Sequence, residues 1–552
     1  MPRSGLHPPP GAACYGLRMK HFRRALSERN PDPKGRKWLY VPYDQLGLLG
    51  PLAEREPSTL GIVMLEDPTK AARRPYHRQK LAYVLANGRH FALEQAARGV
   101  AVRFEVATEG VAGRLRRIAG ELGPLWVMEP AERELHQSLA PLLAEGALRR
   151  LPHPGWLTSA EEFAASCPRV PWKLDNFYRH VRARRGLLMD GGKPLGGKWS
   201  YDTENRQPWS GEPPAAVPPQ FQPDVITVEV GELILRHYAT HPGRLDLDQL
   251  PATLSDAERL WAWALSDCLP HFGPYEDAFS HRSRSLFHTR ISPLLNLHRL
   301  LPARVLADVM AAELPLASKE GFVRQILGWR EFVGHVHRAT DGLRQLPAHP
   351  EVVAEVPLDA QGAAAPSFLG ATLPLPPVFW GGAPSGLACL DDTLSAVWEE
   401  GYSHHITRLM VLSNLATLLG LDPRALTDWF WVAYVDAYDW VVEPNVLGMG
   451  TYAVGGLFTT KPYVSGSAYL QKMGDLCDRC AFQPGSTCPW TPMYWNFLAR
   501  NADRLRRNPR VAGPVAAAER RGEEQRARDA AVTEWVRAGL ARGERLTPGE
   551  EK

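Results

Sequence analysis

The chain has 552 residues, of which 44% are hydrophobic and 22% charged, and its formal net charge is only +4. This is the composition of an ordinary soluble globular protein of two or more domains, and it excludes a globally basic protein. No apolar run is long enough to span a bilayer, and the N terminus lacks the apolar segment of a signal peptide. We therefore predict a cytoplasmic protein with no membrane partner. Seven cysteines in so long a chain do not form a disulfide scaffold.

Short apolar runs alternate with helical patterns after an N-terminal arm, residues 1–37, whose Pro, Arg and Lys content predicts flexibility. We predict strands at 61–65, 100–106 and 125–128, and helices at 77–98, 111–122 and 131–145. Strands that alternate with helices form a parallel sheet covered on both faces. Residues 38–189 are therefore predicted to be an α/β domain with a Rossmann-like parallel sheet.

Paired glycines and prolines fill residues 190–223, and we predict an interdomain linker over 190–253. After residue 254 the periodicity is helical almost without interruption, with helices expected at 256–268, 294–300, 319–336, 393–419 and 425–438. Residues 254–510 are therefore predicted to be an all-α domain. Residues 511–552, rich in Arg, Glu and Ala, are predicted to form a charged, exposed helix and tail.

Four cysteines lie in the helical half: Cys477, Cys480 and Cys488 are close in sequence, and Cys389 is the expected fourth. A CxxC pair places two thiolates side by side, and two further cysteines complete a metal cage. Because the second CxxC of a zinc ribbon is absent, spacing alone favours an iron–sulfur cluster and zinc about equally, and a disulfide less. No such pattern includes the other three, Cys14, Cys167 and Cys268.

Two polar segments of the helical half have the chemistry of a functional site. Residues 288–293 place hydroxyls and a cation at an expected helix start, where free N–H groups suit an anion such as a pyrophosphate. A plain N-cap at Ser292 is the simpler interpretation. His404 and His405, adjacent on a predicted helix, suit a general acid or a hydrogen bond to an oxyanion, but a surface pair or a metal site is the alternative.

Six segments of the helical half follow one another as FGPYEDAF at 272–279, LFHTRISP at 286–293, EGFVRQILGWREF at 320–332, YSHHITRLM at 402–410, residues 436–445 and TKPYVSG at 460–466. In this order, and with the four cysteines, they resemble the photolyase/cryptochrome family, specifically its bacterial iron–sulfur branch, which includes the prokaryotic (6-4) photolyases. The resemblance covers most of the chain from about residue 36. It implies an α/β antenna domain followed by a helical FAD domain, in agreement with the organisation predicted above.

The resemblance implies an FAD site in the helical domain. Arg408 and Asp436 resemble the ion pair beside the isoalloxazine ring, where a cation stabilises the anionic form of the reduced flavin. A salt bridge that only joins two helices would look identical in sequence. The positions that match other FAD contacts are Tyr275, His288, Thr289, Ser292, Gln325 and Arg330.

In the family, the second histidine of the pair borders the DNA lesion and is needed for repair of (6-4) photoproducts. By resemblance, His405 is therefore the expected catalytic residue and His404 its neighbour in support. Trp329 resembles an aromatic residue of the lesion cavity, which offers a face on which a flipped base can stack.

The resemblance also implies an aromatic relay that passes an electron from the surface to photoexcited FAD. Trp429 matches its inner position, and Trp380 is expected at the outer end. Phe430 replaces a tyrosine that is common in the family, so that Trp431 is the expected substitute. Tryptophans at helical positions are otherwise usually core residues.

Two further cofactors follow from the resemblance. Cys389, Cys477, Cys480 and Cys488 match the four ligands of a [4Fe–4S] cluster, for which we expect a structural role. A ribityllumazine antenna pigment is expected in the front domain, although no residue signature indicates its site.

The resemblance thus predicts a monomeric, light-driven, FAD-dependent DNA photolyase that flips a UV-linked dipyrimidine out of damaged DNA. His405 favours the (6-4) photoproduct over the cyclobutane dimer. A cryptochrome-like photoreceptor without repair activity is the main alternative. A light-independent iron–sulfur protein that binds DNA or RNA is a second alternative, which the flavin-type segments disfavour.

Overall fold

The computed structural model describes residues 19–550, and its N-terminal part is built on a five-stranded parallel sheet. The strands are β1 (Lys37–Tyr40), β2 (Leu60–Glu66), β3 (Ala101–Val106), β4 (Leu125–Met128) and β5 (Leu148–Leu151), in the order β3-β2-β1-β4-β5. The helices of this part are Pro51–Glu54, Pro68–Arg73, Arg78–Ala97, Val111–Leu122, Arg133–Ala144, Ala160–Ser166 and Leu174–Arg184. The predicted α/β domain is confirmed.

Alternating side chains of the strands enter two separate cores. Leu39 and Ile62 point into the large core shared with helix Arg78–Ala97, whereas Tyr40 and Val63 point into a smaller core with helices Val111–Leu122 and Arg133–Ala144. Because successive side chains of a strand point to opposite faces, both faces of the sheet are covered. This explains why the strands read as continuous apolar runs.

The rest of the chain is almost entirely helical, as predicted. Its α-helices are Leu254–Trp263, Leu269–Phe272, Ser292–Asn296, Pro302–Ala311, Leu316–Val323, Glu331–Ala339, Ala388–Glu400, His405–Thr407, Asn414–Leu419, Pro423–Ala433, Asp439–Val442, Ser467–Met473, Trp490–Arg500, Ala502–Leu505, Ala512–Glu519 and Glu523–Ala541. A short hairpin, Met189–Asp190 with Lys193–Pro194, separates the two parts. No helix within residues 19–550 has both the length and the apolar character that crossing a membrane requires.

Within residues 19–550, four helical stretches are wound as π-helix: Ala264–Cys268, Arg324–Arg330, Arg408–Ser413 and Glu443–Gly450. Such wider turns are rare and are often found at functional sites. Two of the four contain residues of the expected FAD site, among them Gln325 and Arg408.

Two helices lie where the sequence predicts an arm and a linker. Lys20–Arg29 forms inside the predicted arm and buries Phe22 and Leu26, and Val225–His237 forms inside the predicted linker. Glu229 joins them, because its carboxylate accepts hydrogen bonds from the backbone N–H groups of His21 (2.8 Å) and Phe22 (3.2 Å). Each helix depends on a tertiary partner, which composition does not reveal. Residues 1–18 of the arm lie outside the described residues.

Two other predictions change in the helical half. The helix expected at 393–419 is broken, because Gly401 adopts φ of 65° and ends helix Ala388–Glu400 before a new helix begins at His405. The C-terminal helix Glu523–Ala541 is not a freely exposed tail, since Val536 and Leu540 are buried.

His335 generates a prediction about acid stability. It is buried, its Nε2 lies 2.8 Å from the Thr158 hydroxyl, and burial together with the charge of Arg338 lowers its pKa to about 4. The unfolded chain binds a proton here near pH 6.5, whereas the folded chain does so only near pH 4. Stability is therefore lost as the pH falls below about 6.5, by about 1.4 kcal/mol per pH unit from this residue.

We expect His335→Gln, which keeps a polar group beside Thr158, to reduce the slope of unfolding free energy against pH between about 4.5 and 6 by about 1.4 kcal/mol per unit. Urea denaturation of the variant and the parent protein at a series of pH values measures the slope. Equal slopes for the two proteins would contradict the prediction.

Candidate active site

An ion pair between half-buried Arg408 and buried Asp436 lies in the helical part. The Arg408 guanidinium donates two hydrogen bonds of 3.0 Å, one to each carboxylate oxygen of Asp436. The Ser292 hydroxyl donates to the same carboxylate at 2.6 Å. Burial by itself raises the pKa of Asp436. The charge of Arg408 and the hydrogen bonds from Arg408 and Ser292 lower it by more than burial raises it, so that the pKa lies below its usual value. The carboxylate is therefore ionised and fully paired.

Ser292 acts through Asp436 and not as a helix cap. No side-chain capping bond starts helix Ser292–Asn296, whose Asn296 donates to the backbone carbonyl of Asp436 at 2.8 Å. The cation of the same segment, Arg290, is paired with Glu400 at 2.7 Å. Thr289 is buried. The structure therefore does not support the interpretation of Ser292 as a plain N-cap.

Three histidines form a cluster beside this ion pair. The rings of His288 and His404 stack at 4.4 Å with an angle of 7°, and the ring of His405 lies 5.2 Å from that of His288. His404 lies before the first helical residue, so the two adjacent histidines do not share one helix as predicted. Their ring nitrogens approach so closely that one atom from each of the three lies within 4.8 Å of the others.

The cluster combines two neutral imidazoles with one exposed imidazole. Burial, followed by the neighbouring histidines and Arg408, lowers the pKa of His288 and of His404 well below the usual range. Within residues 19–550, His288 Nε2 and His404 Nδ1 are buried without a hydrogen-bond partner. The His405 side chain is 47% exposed and its Nε2 lies 3.7 Å from Asp277 Oδ1. Buried polar nitrogens without partners are suited to a ligand.

Two of the expected FAD contacts lie next to the histidines. The Gln325 amide donates to Glu276 at 2.6 Å, and Glu276 directly follows Tyr275 in the chain. The Tyr275 ring contacts Phe287, whose chain neighbour is His288. The structure thus brings together most of the expected cavity residues: Tyr275, His288, Ser292, Gln325, His404, His405, Arg408 and Asp436.

Arg330 and Trp329 occupy a different environment. Arg330 is buried, donates to Glu331 at 2.8 Å, and lies over the rings of Trp156 and Trp440 at 4.6 and 5.4 Å. Trp329 is half-buried with its ring edge towards Phe332. Their roles at an FAD site or a lesion cavity stay predictions.

The predicted relay residues separate into two groups. Trp429 is completely buried, whereas Trp380 is 39% exposed. Between them lies Trp398, which the sequence does not single out: its ring is 6.0 Å from Trp429 and 6.5 Å from Trp380. Trp431 is elsewhere, with the Arg74 guanidinium 4.1 Å from the centre of its ring.

The four cysteines surround a small apolar cavity of about 20 Å³. Cys389 is in the first turn of helix Ala388–Glu400, and the other three lie in the segment that ends at helix Trp490–Arg500. All four are free thiols, and burial raises the pKa of Cys389 well above its usual value and that of Cys488 to about 12. The buried Trp490 indole N–H lies beside the Cys389 thiol and has no other hydrogen-bond partner within the described chain. Four soft ligands with an adjacent N–H donor fit an iron–sulfur cluster or zinc.

A larger cavity, of about 590 Å³, opens at the carboxyl ends of the strands. Its lining includes Tyr40 at the end of β1, Glu66 at the end of β2, and Glu132 after β4. Lys70 forms an ion pair with Glu132 inside it, and Trp431 lines its wall. Strand order reverses between β1 and β4, and ligands of open α/β sheets bind at this point.

Neither Trp398 nor the residues that line this cavity were predicted from the sequence. A usable signal existed for the cavity, because polar residues follow two predicted strands directly, as in Glu66 and Asp67 after β2. No comparable signal existed for Trp398, since its relation to Trp429 depends on the packing of two helices that are distant in sequence.

Comparisons with known proteins show the family to which this chain belongs. The family described as deoxyribodipyrimidine photo-lyase-related protein matches residues 39–249. The chain is 32% identical over 489 residues to a (6-4) photolyase of Agrobacterium fabrum, a match that covers 84% of this chain and 92% of that protein.

Two solved structures share the fold at 15% identity. A class III photolyase from Agrobacterium tumefaciens matches with a TM-score of 0.51 over 92% of this chain and 99% of its own. A cryptochrome from Synechocystis matches with a TM-score of 0.52 over 76% of this chain and 82% of its own. At this identity the likeness establishes the two-domain architecture alone.

The ion pair generates a prediction about stability. We expect Asp436→Asn to lower the free energy of unfolding by about 3 kcal/mol, because half-buried Arg408 is left without its counter-ion and the hydroxyl of Ser292 without its carboxylate acceptor. Urea denaturation followed by tryptophan fluorescence measures the change. Glu145→Gln, which removes an exposed ion pair with Arg116, is the matched control and should leave stability unchanged. Equal stability of Asp436→Asn and the parent would contradict the role of the pair.

Proposed function

Because this chain belongs to the photolyase/cryptochrome family, as a photolyase-related protein, we propose that it is a light-driven, FAD-dependent DNA photolyase that repairs (6-4) photoproducts. The sequence identity extends over nearly the whole length of a (6-4) photolyase. The single observation in the structure that carries the proposal is the histidine cluster. It presents one exposed imidazole, His405, beside two buried neutral imidazoles with free nitrogens.

His405 is proposed as the residue that donates a proton or a hydrogen bond to the flipped lesion. Its exposure allows a substrate to reach it, and its second neighbour is the Asp277 carboxylate, 3.7 Å from Nε2. His404 and His288 stay neutral, so that their free nitrogens hydrogen-bond a ligand without adding charge. General acid catalysis of this kind contributes about 10²- to 10⁴-fold.

The polar residues beside the histidines are proposed to hold FAD. The residues present fit a flavin, since Arg408 supplies a half-buried cation that Asp436 orients, Ser292 holds Asp436, and free imidazole nitrogens lie nearby. When bound and reduced, FAD supplies the electron that light transfers to the lesion. The chain positions the ring and balances its charge through the ion pair.

A group of three cations near His405 is proposed to contact DNA. Arg206 lies 3.4 Å from Asp277, the carboxylate that faces His405, and is also paired with Asp202. Burial and the charges of Arg510 and Arg206 lower the pKa of Lys461, so these three cations lie close together. We propose that they contact phosphates beside the lesion, because phosphate contacts dominate affinity for nucleic acid.

The cavity of about 590 Å³ at the carboxyl ends of the strands is proposed to bind the antenna pigment, by resemblance a ribityllumazine. Its volume of about 590 Å³ is in the range of cofactor sites. Tyr40 and Tyr438 are aromatic lining residues suited to a flat heterocycle, and Lys70 and Glu132 offer polar partners. The tyrosines and the Lys70–Glu132 pair thus combine the apolar and polar contacts that such a ligand needs.

The four cysteines are proposed to hold a [4Fe–4S] cluster with a structural role. The cluster would connect helix Ala388–Glu400 to the segment before helix Trp490–Arg500, and the Trp490 N–H would donate to a sulfur. Zinc is the alternative with the same ligands.

We expect His405→Ala to lower repair by about 10²- to 10⁴-fold while flavin content is unchanged, because His405 is exposed and contributes chemistry more than packing. The assay follows loss of a defined (6-4) lesion from an oligonucleotide in blue light and in darkness. His21→Ala, an exposed histidine on helix Lys20–Arg29, is the matched control.

Two outcomes would contradict this proposal. A parent protein that binds FAD but shows no light-dependent loss of lesion would indicate a photoreceptor. Loss of both flavin and repair in His405→Ala would mean that His405 holds the cofactor instead.

We expect Cys389→Ser to abolish bound iron and acid-labile sulfide and to lower the melting temperature, because the cluster joins distant segments. Metal and sulfide analysis together with thermal unfolding measures both effects. Cys167→Ser, at a buried cysteine outside the cluster, is the control and should keep its iron. Zinc without iron in the parent protein would overturn the cluster.

A further inference from the structure

Three tryptophans form a continuous path between the buried interior and the surface. Trp429 is completely buried, Trp398 is half-buried and Trp380 is 39% exposed. Ring centres are 6.0 Å apart from Trp429 to Trp398 and 6.5 Å from Trp398 to Trp380. Exposure therefore increases step by step along rings that are almost in contact.

The first two rings share one hydrogen-bond acceptor. The indole N–H groups of Trp429 and Trp398 both donate to the backbone carbonyl of Phe379, at 2.6 and 3.2 Å. A carbonyl oxygen stabilises positive charge that develops on either indole. Because Trp429 is buried and its N–H is bonded, its oxidised form has no water to which it could lose a proton.

The inner end of the path reaches the Arg408–Asp436 ion pair. The Trp429 ring lies 5.9 Å from the ring of Tyr434, and the Arg408 guanidinium lies 4.1 Å from the centre of the Tyr434 ring. A chain of adjacent groups thus extends from the surface to the residues proposed to hold the flavin.

The other aromatic candidates are less suited to carry a positive charge. Arg74 places a fixed cation 4.1 Å from the Trp431 ring, which disfavours its oxidation. The Phe430 side chain has neither an N–H nor an O–H group. Among the described residues, no Lys or Arg lies over the rings of Trp380, Trp398 or Trp429, and the nearby His77 is kept neutral by burial, which lowers its pKa to about 4.

We propose that Trp398 is the middle residue of the electron relay, so that electrons pass along Trp380, Trp398 and Trp429. This inference rests on the proposed function, since it requires a bound flavin. Trp398 is a redox residue that touches the other relay members, and it takes the place for which Phe430 and Trp431 are unsuited.

The relay moves one electron per photon. With an oxidised flavin bound and excited by light, Trp429 would give it an electron. Trp398 then reduces the oxidised Trp429, and Trp380 reduces the oxidised Trp398, so that the positive charge moves to the surface. The exposed Trp380 then loses its indole proton to water, which prevents the electron from returning. A soluble thiol then gives a hydrogen atom to the neutral Trp380 radical and becomes a thiyl radical, and two thiyl radicals couple to a disulfide. The net change per photon is one electron to the flavin and one proton to water.

The test is photoreduction of the FAD-loaded, oxidised full-length protein by blue light with dithiothreitol in the absence of oxygen. Flavin absorbance gives the rate, and transient absorption and electron paramagnetic resonance detect tryptophan radicals. We expect Trp398→Phe to slow photoreduction about tenfold or more and to abolish the long-lived radical at Trp380. Trp495→Phe, a half-buried tryptophan away from the path, is the control and should match the parent.

Variants of Trp398, of Trp431 and of Trp380 distinguish the proposed relay from its alternatives. Trp398→Phe with parental photoreduction, or slowing in Trp431→Phe alone, would overturn the relay. Where Trp398→Phe fails to retain flavin, the exposed Trp380→Phe should still photoreduce slowly, and parental rates there would also overturn it.

Repair after chemical reduction separates this inference from the proposed function. Trp398→Phe reduced with dithionite should repair a (6-4) lesion in light as the parent does, because the relay is then not needed. A reduced parent protein without repair activity would refute the photolyase function and leave the relay intact.

Discussion

The Arg408–Asp436 ion pair is the constraint around which the helical part is arranged. The buried Asp436 carboxylate needs a counter-ion, which Arg408 supplies. The same carboxylate accepts from Ser292, and Asn296 donates to the backbone carbonyl of Asp436. Three segments that are distant in sequence are thereby held within hydrogen-bond distance. The histidine cluster, the π-helical turn that begins at Arg408 and the inner end of the tryptophan path all adjoin this pair.

Burial divides the titratable groups around this pair into two kinds. Asp436 and Arg408 stay charged because each satisfies the other, whereas His288 and His404 have no counter-ion and stay neutral. His405, at the exposed edge, faces a carboxylate. A flavin and a lesion would thus meet a fixed charge pair on one side and neutral hydrogen-bonding groups on the other, an arrangement that limits unpaired buried charge.

Much of the fold was predictable from local patterns. Helix Val111–Leu122 and strand β4 form exactly where periodicity placed them, because each buries a face that its own sequence defines. Helices Lys20–Arg29 and Val225–His237 were not predictable, because Glu229 and a shared core stabilise them across two hundred residues. For the same reason, the contact between Trp398 and Trp429 was not predictable, because it comes from the packing of two helices.

The sequence by itself determined the chemistry available to this protein. Ordered segments and four cysteines placed it in the photolyase/cryptochrome family, and the apolar periodicity determined which elements form, since both are local properties of the chain. Tertiary structure alone decided which residues meet. In the folded chain, Ser292 donates to Asp436 and does not cap a helix, and His288 stacks on His404. Trp398 contacts Trp429, whereas the Trp431 ring lies against Arg74. The physical reason is that these contacts depend on burial and distance between segments, which spacing along the chain does not specify.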